Sequence, residues 1–255
     1  MNALDATWAA ERQTPSDAID SVLLIGQSNM CGRGIVGEVP EINPRGMMFM
    51  LRNGRWQPMS EPINPDRHVY AASPTQLRSG VSLAASFAEE YATYYQRKIG
   101  LIPCAEGGSA LSEWQPGEIL FDHAVTEAKF AQRTSNIVGI LWHQGEADSQ
   151  RAADVAHYRE RFFTMLNAMK EALGLPDDIP VILGELSPLG QAHWPLWAGT
   201  NAVLHEIAAS APSFGIASVE DLTLSPDGMH FSAASYRVLG RRYFAAYRTV
   251  RERQG

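Results

Sequence analysis

The chain has 255 residues, 45% of them hydrophobic and 19% charged, which fits one sizeable globular domain with a substantial core. Lys and Arg number 21 against 28 Asp and Glu, a net charge of −7, and without a dense basic run this argues against a nucleic-acid partner. Two cysteines, Cys31 and Cys104, are too few for a disulfide scaffold or a Cys-based zinc site and read as buried free thiols.

In chain order, residues 1–20 lack an apolar run of signal-peptide length, and no later stretch approaches a membrane span. A chain with no membrane contact is expected, cytoplasmic unless a leader was removed. Residues 22–25 form a short apolar run that stops at Gly26, the first predicted strand. Residues 31–80 are rich in Pro and Gly and read as an elaborated loop, with a hairpin around Asn53-Gly54. That insert either contributes substrate contacts or only covers a sheet edge.

Alternation then becomes regular. Helices are predicted over 81–97, 121–132, 152–173 and 196–209, and a last one starts at the N-cap candidate Ser232 and runs toward Arg251. Strands are predicted over 99–105, 137–142, 180–183 and 215–219. Solid apolar strands separated by helices imply an α/β fold, a parallel sheet covered on both faces. Right-handed crossovers bring the strands' C-terminal ends to one edge, where ligands of such sheets bind.

Polar clusters follow those ends. Gln27-Ser28-Asn29 follows the first strand, Glu106-Gly107-Gly108-Ser109 the second, His143-Gln144-Gly145-Glu146 the third, and Asp227-Gly228-Met229-His230 lies beyond the fifth. Ser28 alone could merely cap a short helix, and Asp227 and His230 alone could shape a loop. Together they supply a nucleophile, a base and an orienting acid. Gln144 carries an amide donor for a developing oxyanion or binds backbone in a turn. Gly108, with Gly107 beside it, offers a second N–H. Glu146 could replace Asp227 as partner of His230, bind substrate hydroxyls or simply begin a helix. Gln27, Ser109 and Trp114 are candidates for substrate contact, Trp114 equally for a loop aromatic packing on its neighbours. Gly26, Gly32 and Gly34 lack the Gly-Lys-Ser/Thr ending of a phosphate loop, and His143, Glu146 and His157 lack the His-Glu-x-x-His zinc pattern.

These four blocks, in this order and spanning residues 22–240, resemble those of the SGNH/GDSL hydrolase superfamily, in its sialate O-acetylesterase-like branch with the acetylxylan esterases of carbohydrate esterase family 6. The resemblance implies a single hydrolase domain over 1–255, with the insert at about 31–80. Its fold would be a flavodoxin-like, three-layer α/β/α arrangement around five parallel strands. It implies Ser28 as nucleophile, His230 as base and Asp227 as acid. The implied oxyanion hole comprises the Ser28 N–H, a glycine N–H of the Gly107-Gly108 block and the Gln144 side chain. Some relatives use the glutamate of the His-Gln-Gly-Glu block as acid, so Glu146 stays open. No metal and no organic cofactor is expected. The implied activity is removal of O-acetyl groups from a carbohydrate, of acetylated xylan or sialic acid type, through an acyl-enzyme. Rival readings are a short-chain carboxylesterase acting on non-sugar esters and a carbohydrate-binding protein without catalysis. Oligomeric state is not legible.

Overall fold

A computed structural model describes residues 19–65 and 78–255. The chain runs β1 (Ile19–Gly26), α1 (Ser28–Cys31), β2 (Met48–Arg52), β3 (Arg55–Pro58), α2 (Leu83–Tyr95), β4 (Lys98–Pro103), α3 (Ile119–Ala131), β5 (Asn136–His143), α4 (Ala152–Leu173), β6 (Val181–Gly184), α5 (Trp197–Ala209), β7 (Phe214–Ala217) and α6 (Ala233–Gln254). One seven-stranded sheet has the order β3-β2-β4-β1-β5-β6-β7, and every pairing is parallel except β2 with β3. The five expected strands form the contiguous run β4-β1-β5-β6-β7 within its parallel part.

The two further strands correct the reading of the insert. Its hairpin turns at Asn53-Gly54, both at positive φ, and does more than loop near the site: β2 joins β4 in parallel, Met48 opposite Ile99. The reason is a matched pair of side chains. A Cβ on Gly100 would lie 2.5 Å from the Trp56 ring, so the missing side chain on β4 leaves the space that the indole occupies. Its Nε1–H donates to Thr134 Oγ1 at 3.1 Å, which satisfies the one polar group a buried indole carries. Residues 66–77 of the insert lie outside the described residues.

The pleat of β1 divides the core. Val22 and Leu24 face a cluster built with α2 and α6, while Leu23 and Ile25 face the opposite cluster with α3, α4 and α5. Successive strand side chains point to opposite faces, so a strand sandwiched between helix layers must be apolar at both. Cys31 and Cys104 are free and buried. Ser232 caps α6, its Oγ accepting from Ser235 N–H at 3.2 Å. Among the described residues no helix is long and apolar enough to cross a membrane.

Register then fixes where the chemistry stands. Leu24 pairs with Pro103 and Gly26 with His143, so β1, β4 and β5 end side by side and release residues 27–29, 106–109 and 144–146 at one edge. If Trp56 anchors the added hairpin, Trp56→Ala should cost about 3–5 kcal/mol in chemical denaturation. A loss under 1 kcal/mol would show the hairpin to be held by its backbone pairing instead.

Candidate active site

The site begins with a turn only glycine can make. Gly26 has φ 133°, and a Cβ there would lie 2.2 Å from His143 O. The chain breaks from the strand at this point, and Gln27 N–H donates to His143 O at 2.9 Å. Ser28 is thereby lifted to the start of α1. Its N–H stands in the first helical turn, where no intrahelical acceptor exists. Neither that N–H nor the Ser28 hydroxyl bonds to any described residue.

Gly107 and Gly108 follow β4 beside it. Neither N–H donates to a described residue, and the position of a Gly107 Cβ lies 3.8 Å from Ser28 Cβ. Both glycines and Ser28 line a cleft of about 440 Å³, together with Gln27, Arg33, Glu146, Ala147, Gln150, His193, Trp194, Met229 and His230.

His230 comes from the far end of the chain. Asp227 Oδ1 accepts from the N–H groups of Met229 (2.9 Å) and His230 (3.0 Å), and its Oδ2 lies 2.6 Å from His230 Nδ1. One carboxylate thus shapes the turn and fixes the imidazole. Burial works to raise the Asp227 pKa, but hydrogen bonds from the His230 N–H, its ring and the Met229 N–H outweigh it and hold the carboxyl below its ordinary value. Burial lowers the His230 pKa below 6.5; the Asp227 partner opposes this, while Arg33 and His193 add to the lowering. Ser28 and His230 face one cleft, but no hydrogen bond joins them among the described residues. Such bonds commonly tighten only in the substrate complex.

Glu146 does not hydrogen-bond to His230. Its Oε1 accepts from Asn29 Nδ2 at 2.7 Å and lies 3.9 Å from His143 Nε2. Burial pushes its carboxyl above the ordinary range, against the hydrogen bond from Asn29. Burial also pulls the His143 pKa down to about 3, so that ring is neutral. His143 Nδ1 lies 2.9 Å from Tyr243 OH, which itself donates to Trp142 O. The tyrosine oxygen therefore accepts from the ring, and Nε2 is the bare nitrogen facing Glu146. Among the described residues no group of three or more His, Cys, Asp or Glu is placed to hold a metal ion.

Three expectations need correction. Gln144 is wholly buried and does not face the cleft. Its Nε2 donates to Ser109 O at 3.0 Å and to Asp148 Oδ2 at 2.5 Å, and its Oε1 accepts from Tyr158 OH at 2.9 Å. Both amide hydrogens are spent, so none remains for an oxyanion. Ser109 is also buried, its Oγ donating to Glu106 O and accepting from Trp114 Nε1. Trp114 is neither a cleft wall nor an exposed loop aromatic. It packs edge-on against Trp142, 5.6 Å between centroids, inside the α3–α5 core.

Unlike Gln144, Gln27 does reach the cleft. Its Oε1 accepts from Ala147 N–H at 3.2 Å, which pins the side chain and leaves Nε2 without a partner among the described residues. Arg33 and Asn29 were not singled out from sequence. Asn29 showed one signal, a short polar residue directly after the serine. Arg33 showed none, since a lone Arg in a Gly-rich loop is usually solvated. As a check on the correction, Trp114→Ala should lower stability by about 3–5 kcal/mol. A raised KM with unchanged stability would return the indole to the substrate.

Comparison with known proteins gives the family. A family model described as carbohydrate esterase, sialic acid-specific acetylesterase, matches residues 19–249. An Arabidopsis thaliana protein described as a probable carbohydrate esterase is 29% identical over 190 residues, covering 68% of this chain and 70% of the relative. The fold is shared with a solved Arabidopsis thaliana structure (TM-score 0.76, 24% identity, 91% of this chain and 98% of the other). It is shared also with NanS (TM-score 0.71, 17% identity, 94% and 99%). The chain belongs to this carbohydrate esterase family and is a carboxylic ester hydrolase.

Proposed function

We propose that the protein removes O-acetyl groups from a carbohydrate by a serine acyl-enzyme mechanism, with Ser28 as nucleophile, His230 as base and Asp227 as acid. The observation that carries this is the convergence of Ser28 and an Asp227-held His230 on one cleft, beside unspent backbone N–H groups. With Nδ1–H donated to the Asp227 carboxylate, His230 presents Nε2 as acceptor. Ser28 Oγ attacks the ester carbonyl while its proton passes to Nε2. The same proton then goes to the departing sugar oxygen as the C–O bond breaks, leaving acetyl-Ser28. Water, losing a proton to Nε2, attacks that ester, and collapse returns the proton to Ser28 Oγ and releases acetate.

The negative oxygen of each tetrahedral intermediate is met by the Ser28 N–H, the Gly108 N–H and Gln27 Nε2, the last taking the place first given to Gln144. Asp227 is favoured over Glu146 as the acid, because a carboxyl with a raised pKa, tied to Asn29, neither reaches nor steadies an imidazolium at His230. Polar walls supplied by Gln27, Arg33, Glu146, Gln150 and His193 suit sugar hydroxyls better than long acyl chains.

Ser28→Ala should abolish acetate release from O-acetylated sugars and also abolish labelling by a fluorophosphonate. Retained turnover would remove the serine mechanism. Gln27→Ala should lower kcat by about 10²–10³, the usual cost of one oxyanion donor; an unchanged kcat would take Gln27 out of the hole. The base must be unprotonated, and the His230 pKa lies below 6.5. On the free enzyme, kcat/KM should therefore climb with pH along a limb centred below 6.5. A limb centred above 7 would contradict the assignment.

A further inference from the structure

The turn that carries Gly107 and Gly108 is built past the last strand pair on one of its two sides. Along β4, successive N–H groups point to opposite neighbours. On the β1 side the ladder runs on, with Cys104 N–H donating to Leu24 O at 2.9 Å and Glu106 N–H to Gly26 O at 3.0 Å. On the other side Ile99 N–H donates to Met47 O at 2.8 Å, but β2 pairs with β4 only as far as Met50 opposite Leu101. Pro103 lies further along that edge and has no N–H to satisfy. Ala105 comes next. It is buried, and no strand runs beside it there among the described residues. A buried N–H and C=O in that position need a partner from elsewhere.

Asn64 takes the place of the missing strand. Its Oδ1 accepts from Ala105 N–H at 3.1 Å and its Nδ2 donates to Ala105 O at 3.0 Å. A side-chain amide holds a donor and an acceptor in one plane, as a peptide group does, so it completes the pairing that β2 leaves off. Nδ2 also donates to Pro65 O at 2.9 Å. The buried Asn64 is itself held from β2, where Arg52 Nη2 donates to Pro62 O and, at 3.2 Å, to Ile63 O. Ala105 O accepts a second bond, from Cys31 Sγ at 3.2 Å, and Cys31 ends the short helix that Ser28 begins. One residue, two before Gly107, thus joins the insert, the Ser28 helix and the glycine turn.

We infer that Asn64 is a positioning residue for the oxyanion hole: by clamping Ala105 it holds the Gly108 N–H at the place, relative to Ser28, that the tetrahedral oxygen requires. This rests on the reading of Ser28 and Gly108 above and deepens it. Asn64 does not line the cleft, and its amide is committed to backbone groups, so it acts through Ala105 and not on the substrate. Without it the glycine turn is tied to the sheet on its β1 side alone. A displacement of about 1 Å in a group that meets the reacting atoms is enough to slow an enzyme about 10²-fold.

The test follows hydrolysis of p-nitrophenyl acetate, with kcat expressed per Ser28 that takes a fluorophosphonate label, so that only folded protein is counted. Asn64→Ala should lower that kcat about 10- to 100-fold, the cost of a donor misplaced rather than removed. KM should hardly change, because both tetrahedral intermediates use the same N–H groups and acylation and deacylation slow together. Asn64→Ser, whose hydroxyl is too short to bond both Ala105 groups, should fall likewise and serves where Asn64→Ala does not fold. An unchanged kcat per labelled serine in either variant would overturn the inference and leave Asn64 a residue of stability alone. A loss carried mainly by KM would overturn it too, as would failure of both variants to fold. A wild-type protein that takes no label and releases no p-nitrophenol would bring down the esterase reading, and the inference with it.

Discussion

The side chain of Asn29 is the joint on which the site depends. Its Nδ2 donates to Glu146 Oε1, after β5, and its Oδ1 accepts from Tyr236 OH at 2.7 Å in α6 and from Phe231 N–H at 3.4 Å. Partners from after β5 and from the start of α6, 117 to 207 residues away in sequence, meet on one buried amide next to Ser28. Each of these groups is shut off from water, so losing one partner leaves the others unsatisfied, at about 1–3 kcal/mol for each group. The amide therefore sets the spacing of the nucleophile turn and the histidine loop relative to each other.

That joint answers a topological problem. β1, β4 and β5 are neighbours, and their C-terminal loops meet without further help. The loop carrying Asp227 and His230 follows β7, three places from β1 in the sheet. Strand pairing cannot bring it to Ser28. It is folded back by its own short antiparallel bridge, Leu224 with Phe231, and by Ser225 N–H donating to His230 O at 2.6 Å. Asp227 organises the turn from within. His230 is thus delivered by side-chain and loop hydrogen bonds, whereas Ser28 and the glycine turn are delivered by the sheet.

This division explains what could be read in the sequence. Strands β1, β4 and β5 are solid apolar runs with polar residues at their ends, and α4 has both of its ends where residues 152–173 place them, with Gly174 as left-handed cap. The turns that carry Ser28 and Gly107-Gly108 were legible because they follow such elements directly, whereas Asp227 and His230 lie in a longer loop beyond β7. The two edge strands were not legible. Their addition turns on Trp56 filling the space over Gly100, a pairing of distant residues that leaves no local period. Side-chain direction was equally hidden: Gln27 and Gln144 are both amides just past a strand end, and only the register shows which is turned into the core.

The exchange between those two amides has a physical basis. Gln144 lies beneath the cleft, where Ser109 O, Asp148 and Tyr158 each need a partner away from solvent. An amide has two donors and an acceptor in one rigid plane, so it can satisfy all three at once. Turning it toward substrate would strand the Ser109 carbonyl and take one partner each from Asp148 and Tyr158. Gln27 carries no such load, since a single N–H, that of Ala147, fixes its oxygen. The amide able to meet transient charge is the one whose hydrogens the fold does not already require. Arg33 is likewise anchored through Nη1, to Gly32 O and Ser79 Oγ, in the cleft wall rather than beneath its floor.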